Sequence, residues 1–226
     1  MKMYIHLTLK SDATFGRGEG VAGLVDEEVE HDAETGLPYL RGRTLKGLLV
    51  EECANIMYAL ERQNSKALVR LKQAAGFLFG QPGSTLDDDA HMHVGPAILP
   101  KELCQAVEAH IKRKELTPPE VLESLTAIRR QTAVDEKRGA PKEGSLRSMR
   151  VVLRETPFIA SLDFDEASGE DAKALLAACV LSLRRAGLGR NRGRGRLRAR
   201  LLDENKNDIT EACFQHFRQL VRGGAS

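Results

Sequence analysis

The order of its strand-like and helix-like stretches is what most constrains the fold of this chain. Residues 3–10 and 196–202 alternate apolar and polar side chains, the period of a half-buried strand. Residues 91–99, 149–154 and 157–164 read as further strands, with Pro96 favouring a sheet edge. Between them, Leu45, Leu48, Leu49, Cys53, Ile56, Met57 and Leu60 recur at helical spacing, which predicts a helix over residues 45–61 with Thr44 as its N-cap. A second helical piece is expected over 64–75, and two more over 101–114 and 118–129, on either side of Thr117-Pro-Pro119. Residues 172–183 form an apolar helical stretch, and a last helix is expected over 208–221. With 101–148 set aside, the order is strand, helix, strand, strand, helix, strand. That is the α+β, ferredoxin-like arrangement of the RNA recognition module, a topology that hosts many unrelated functions.

A length of 226 residues suits one domain, here expected over 1–226, with an acidic glycine-rich loop at 11–36 and a helical, projecting insertion at 101–148. No apolar stretch approaches the roughly 20 residues of a bilayer helix, and the first residues, Met-Lys-Met-Tyr-Ile-His, are too polar to read as a signal peptide. Aromatic residues make up 4% with no Trp, which argues against recognition based mainly on ring stacking. Cys53, Cys104, Cys179 and Cys213 are far apart and form no C-x-x-C pair, so neither zinc nor a disulfide framework is expected. They read as reduced, small hydrophobes in a cytoplasmic protein.

The net charge of +2 hides an uneven distribution. Arginines occupy 184, 185, 190, 192, 194, 196, 198 and 200 with no acid among them. Gly187, Gly189, Gly193 and Gly195 are interleaved, so backbone N–H groups and guanidinium forks are both available to phosphate oxygens. This stretch follows a helix and precedes a strand, the reverse of a dinucleotide fingerprint. Gly42-Arg-Thr-Leu-Lys-Gly47 has the wrong glycine-to-lysine spacing for a phosphate-binding P-loop. Asp26, within the glycine-rich loop, is open to several readings: a ribose 2′-OH contact, a divalent-ion ligand, a weak base, or a member of a solvated acidic loop. His91 and His93, at strand spacing, would face one side but lack a third ligand and read as structural. Residues 130–148 are rich in charge and poor in apolar side chains, the mark of a projecting, solvated element.

Three separated segments together resemble the RAMP superfamily of CRISPR effector proteins, and more narrowly the backbone subunit of type III complexes, of the Csm and Cmr kind. The first runs from Gly23-Leu-Val-Asp26 to Asp32-Ala-Glu-Thr-Gly-Leu-Pro-Tyr-Leu-Arg-Gly-Arg-Thr-Leu-Lys-Gly47. The family pattern has one aspartate six residues before another (here 32 − 26 = 6), then D-x-x-T-G-x-P-Y-x-x-G-S-S-L-K-G. The second segment, 131–152, resembles the family's thumb and the strand after it; the third is the glycine-arginine loop.

The resemblance implies a ferredoxin-like palm with inserted helices and a projecting thumb. It implies a subunit that polymerises along a CRISPR guide RNA, alongside copies of itself, related backbone subunits and other subunits of the complex. Guide contacts are implied at Arg43, Thr44, Lys46, Arg138, Arg190, Asn191, Arg192 and Arg194, with the loop glycines. The thumb is implied to enter the guide–target duplex at regular intervals. Asp26 falls on the aspartate implied to cut complementary target RNA, using the substrate's 2′-hydroxyl and a divalent metal, Mg2+; no metal ligand set is assigned. Two alternatives stand beside it: a guide-binding backbone subunit without chemistry, and a CRISPR-RNA processing nuclease using a histidine such as His31. The chain departs from the family in having Arg43-Thr44 for the serine pair, Val50 and Glu51 where an arginine is common, and Glu27-Glu28 after Asp26.

Overall fold

The computed structural model describes residues 1–80, 90–132 and 145–223. Its main sheet has four antiparallel strands in the order β2 (Met92–Val94), β5 (Pro157–Phe164), β1 (Lys2–Leu9), β6 (Leu197–Leu202). Two helices, α1 (Gly42–Arg62) and α2 (Leu68–Phe79), connect β1 to β2, and α5 (Glu170–Ser182) connects β5 to β6. This is the ferredoxin-like order. Alternation sends Met3, Ile5, Leu7 and Leu9 of β1, with Phe158, Ala160 and Leu162 of β5, to the buried side. That side packs into one apolar core with α1, α2 and α5. Eight of the thirteen residues of α5 are buried, because α1, α2, α6 (Thr210–Gly223) and the sheet all contact it. No helix among the described residues is long and apolar enough to cross a membrane.

Helix α1 begins at Gly42, two residues before the predicted cap, with Arg41 at the N-cap and Thr44 inside the first turn. A Cβ on Gly42 would lie 2.1 Å from the Val94 carbonyl oxygen, so the helix start presses on the end of β2 only because residue 42 has no side chain. Helix α2 runs from Leu68 to Phe79 and so continues past the expected end at residue 75 to take in Phe77, Leu78 and Phe79.

The insertion departs from the reading. Helix α3 (Lys101–Lys112) agrees with it, but α4 (Pro118–Leu125), started by a Thr117–Glu120 capping box, stops four residues early. The chain turns there into β3 (Thr126–Gln131), which pairs antiparallel with β4 (Arg147–Val152). The strand expected at 149–154 therefore belongs to a separate two-stranded ribbon, and β5 alone supplies the third palm strand. The distal part of the expected thumb, including Arg138, lies outside the described residues.

Residues 11–36 hold no named strand but are laced to the rest. Phe15 is buried edge-on against Phe158 with ring centres 5.5 Å apart. Ala13 bridges Val152, Thr14 bridges Leu188, and Glu27 runs parallel beside Met149.

Candidate nucleic-acid interface

The glycine-arginine loop is an ordered structure. All four of its glycines take left-handed φ, between 65° and 87°, and a 3-10 turn at Arg190–Arg192 forms its tip. Gly195 is the tightest: a Cβ there would sit 1.8 Å from the Ala186 carbonyl oxygen. The loop doubles back on itself through that contact, and Gly195 N donates to Asp12 O at 2.9 Å. Leu188 N donates to Thr14 O at 2.9 Å, fastening the other limb to the end of β1's loop.

Two adjoining cavities run along this loop and share Gly187, Leu188 and Arg190. The first, about 340 Å³, lies between the loop and the start of α1, and Thr44, Gly47 and Leu48 line it. Its charges cancel. Glu30 is bound by Arg41 at 2.6 Å, and Glu51 receives both Arg190 nitrogens at 2.9 and 3.0 Å. The second, about 430 Å³, is lined by Arg190, Arg192 and Arg194 with Asn191, Gln131 and Met149, and no acid borders it. Positive potential is therefore concentrated at the loop tip, not spread evenly from α1. Glu51, by pairing with Arg190, is what neutralises the loop on the α1 side.

Arg43 and Thr44 are exposed and Lys46 half-buried, and their side chains have no partner among the described residues. Thr44 alone of the three borders the groove. Asn191 and Arg192 are exposed at the tip. Arg194 reaches back to the ribbon, where its guanidinium contacts Met149 Sδ. With the Gln131 amide oxygen turned toward it, Arg194 Nη2 also donates to that oxygen at 2.6 Å.

Strand register divides the ribbon into two faces. Arg129 opposes Met149 and Gln131 opposes Arg147, so these four share the face that Arg194 covers. Arg130 opposes Ser148 and Ile128 opposes Arg150, which puts these on the other face. Residues 26–28 add a third line beside β4: Asp26 N donates to Ser148 O and Arg150 N to Glu27 O, each at 2.9 Å. Glu27, level with Met149, lies on the groove face, and its carboxylate sits near Gly16. Asp26 and Glu28 take the opposite face. Asp26 Oδ2 accepts from Ser148 N at 2.6 Å and from Ser148 Oγ at 3.3 Å. Glu28 is buried and ion-paired to Arg150 at 2.8 Å, and it also accepts from Val29 N. The acids following Asp26 thus do not gather around it: one is neutralised and the other faces away.

Arg150, Glu30 and Arg41 escaped the sequence reading, and Glu28 and Glu51 entered it only as departures from the family pattern. Each acts through a partner distant in the chain or in an unread register. The two histidines of 91–93 do not act together. His91 stacks on Phe77 and precedes β2, whereas His93 pairs with Asp165 at 2.8 Å. His31 Nδ1 donates to the Val29 carbonyl at 2.9 Å. It borders a cavity of about 960 Å³ beside α3 that shares no lining residue with the groove. Among the described residues, no three His, Cys, Asp or Glu side chains are grouped to hold a metal unaided.

A family model described as RAMPs, RAMP superfamily, matches residues 6–198. No curated protein sequence matches the chain. Among solved structures, a chain of a type III-B Cmr-beta complex in its apo state, determined by cryo-EM, is 13% identical with a TM-score of 0.62, over 90% of this chain and 98% of that one. A chain of type III-B Cmr-beta bound to cognate target RNA is 13% identical with a TM-score of 0.61, over 95% of this chain and 99% of that one. At such identity the likeness is one of fold.

Proposed function

The chain belongs to the RAMP superfamily, and from that premise we propose that it is a backbone subunit of a type III CRISPR effector complex. In this reading it binds guide RNA along the glycine-arginine loop and cleaves complementary target RNA through Asp26, with Mg2+. The observation that carries the reading is the acid-free cavity under Arg190, Arg192 and Arg194, set against a ribbon whose other face holds Asp26. The guanidinium groups at the loop suit a phosphodiester chain. Solved chains with the same fold come from Cmr-beta complexes, one of them bound to target RNA, which supports an effector-complex setting.

On the Asp26 face, the Ser148 amide and hydroxyl hold one carboxylate oxygen and so orient the other. Arg130, opposite Ser148 and exposed, puts a cation on that face for a target phosphate. Cleavage would proceed by attack of the 2′-oxygen on the adjacent phosphorus, with loss of the 5′-oxygen, which takes up a proton from water. The products are a 2′,3′-cyclic phosphate and a 5′-hydroxyl end. The ribbon's part is to hold the strand bent so that attacking and leaving oxygens align. Asp26 accepts the 2′-proton or anchors the ion. A single free carboxylate oxygen on an exposed loop fits Mg2+, which takes one or two carboxylates and completes its shell with phosphate oxygens and waters. When bound there, the ion supplies positive charge at the phosphodiester.

The test is assembly of the complex on a guide, followed by labelled complementary RNA with Mg2+. Asp26→Ala is expected to lower cleavage by about 10²-fold or more and to leave guide affinity unchanged. Full cutting by the variant refutes the catalytic half. A binding-only role is the second reading, favoured by the Ser148 hydrogen bonds that give Asp26 a structural task. Under that reading, the native complex leaves target RNA intact.

A further inference from the structure

Past Arg194, on the groove face of the ribbon, lies a third cavity of about 300 Å³ lined by Lys10, Ser11, Asp12, Arg129, Arg154 and Arg194. It is built from four distant parts of the chain: the end of β1, β3, the turn after β4, and the glycine-arginine loop. Four cations face one acid, and that acid is committed internally. Asp12 Oδ2 accepts from Arg129 Nε and Nη2 at 3.0 and 2.8 Å, and Oδ1 accepts from the Arg154 backbone N–H at 3.1 Å. Ser11 Oγ is likewise spent, donating to Gly193 O and accepting from Arg196 N. Lys10 pairs with Glu155 at 3.0 Å, an exposed contact of little strength. The Arg154 guanidinium is exposed and has no partner among the described residues. Asp12 therefore fixes the pocket's shape while leaving an excess of positive charge. Like charges held together repel, and a bound anion relieves that cost.

We propose that this pocket is a phosphate subsite for single-stranded RNA, with Arg154 as its principal free ligand and Arg129, oriented by Asp12, as its wall. The polymeric character of the anion follows from continuity. Arg194 borders both this pocket and the acid-free cavity, so two anion sites stand in series, as a chain of phosphodiesters requires. The inference rests on the RNA-binding reading above and extends the path of the strand to the foot of the ribbon.

Affinity of the purified chain for a single-stranded RNA, measured by fluorescence anisotropy across a salt titration, tests it. The variants are Arg154→Ala, Arg154→Gln and, in the acid-free cavity, Arg192→Ala. Each lost phosphate contact lowers the slope of log K against log salt by about 0.7 on a single strand. Arg154→Ala and Arg154→Gln are each expected to weaken binding and to lower the slope by that amount, as Arg192→Ala does. If Arg192→Ala weakens binding and both Arg154 variants match the wild type, the subsite is refuted and the groove stands. Weaker binding with an unchanged slope also refutes it, since the lost contact is then not to phosphate. If no variant alters binding, the RNA-binding reading itself falls.

Discussion

Arg150 and Glu28 form the most buried ion pair described in the molecule, with side chains 9% and 4% exposed. Glu28 also accepts from Val29 N, Arg150 Nη1 donates to Thr126 Oγ1, and Thr14 Oγ1 donates to the Arg150 carbonyl. The guanidinium thus joins the acidic segment to β3 and β4, and the Arg150 carbonyl ties in the loop after β1. Removing it leaves a carboxylate without a counter-charge in an apolar setting. Arg150→Met is expected to cost about 3–5 kcal/mol in urea unfolding. The double variant Arg150→Met/Glu28→Gln should recover much of that loss, because no buried charge is then stranded; equal losses in both would mean packing, not charge, holds the site. His6 provides a pH-dependent counterpart. Burial first, and the Arg200 charge second, lower its pKa below the ordinary 6.5, with Asp208 opposing them. Between the lowered value and 6.5 the unfolded chain binds more protons, so stability rises with pH through that window. The contribution is fully present above 6.5 and is lost as pH falls through the folded value. Melting temperature against pH should climb through that window in the wild type and climb less in His6→Gln; parallel curves would refute the assignment.

The Arg190–Glu51 pair ties the basic loop to α1, and both side chains are substantially exposed. Such a pair contributes about 0–1 kcal/mol, so Glu51→Gln should leave the melting temperature nearly unchanged. It should tighten RNA binding and steepen its salt dependence, since one more guanidinium is then free for phosphate. Unchanged affinity would place Arg190 outside the binding path. The elements themselves were unequally legible. Helices α1 and α5 were readable because their apolar residues recur at close to the observed boundaries. The loop was readable because its chemistry is local, arginine and glycine in alternation. β3 was not: Thr-Ala-Ile-Arg-Arg-Gln is too short for a period to be told. Its strand state depends on pairing with β4, some twenty residues later, and on Thr126 leaving the helix to meet Arg150. The setting of Asp26 was equally hidden. Which face a residue takes follows from non-local register, and a slip of one position would exchange it with Glu27.

At the scale of the molecule, a ferredoxin-like palm carries a thin ribbon that separates two chemistries. Arg194 and the acid-free cavity lie on one face, Asp26 with Ser148 and Arg130 on the other. In the proposed reading, a strand lying in the groove does not pass over Asp26, so the strand gripped and the strand cut are different ones. That division suits a guide on the palm and a complementary strand across the ribbon. It also makes the two proposed activities separable in single-turnover cleavage by the assembled complex. Arg192→Ala should raise the guide concentration needed for assembly, yet cut at the wild-type rate once guide is saturating. Asp26→Ala should assemble at wild-type guide concentrations and fail to cut. Arg130→Ala should slow cutting while leaving guide affinity intact, because its cation lies on the target side. If Arg192→Ala at saturating guide loses cleavage by the same factor as Asp26→Ala, one strand serves both faces and the division of labour across the ribbon is wrong.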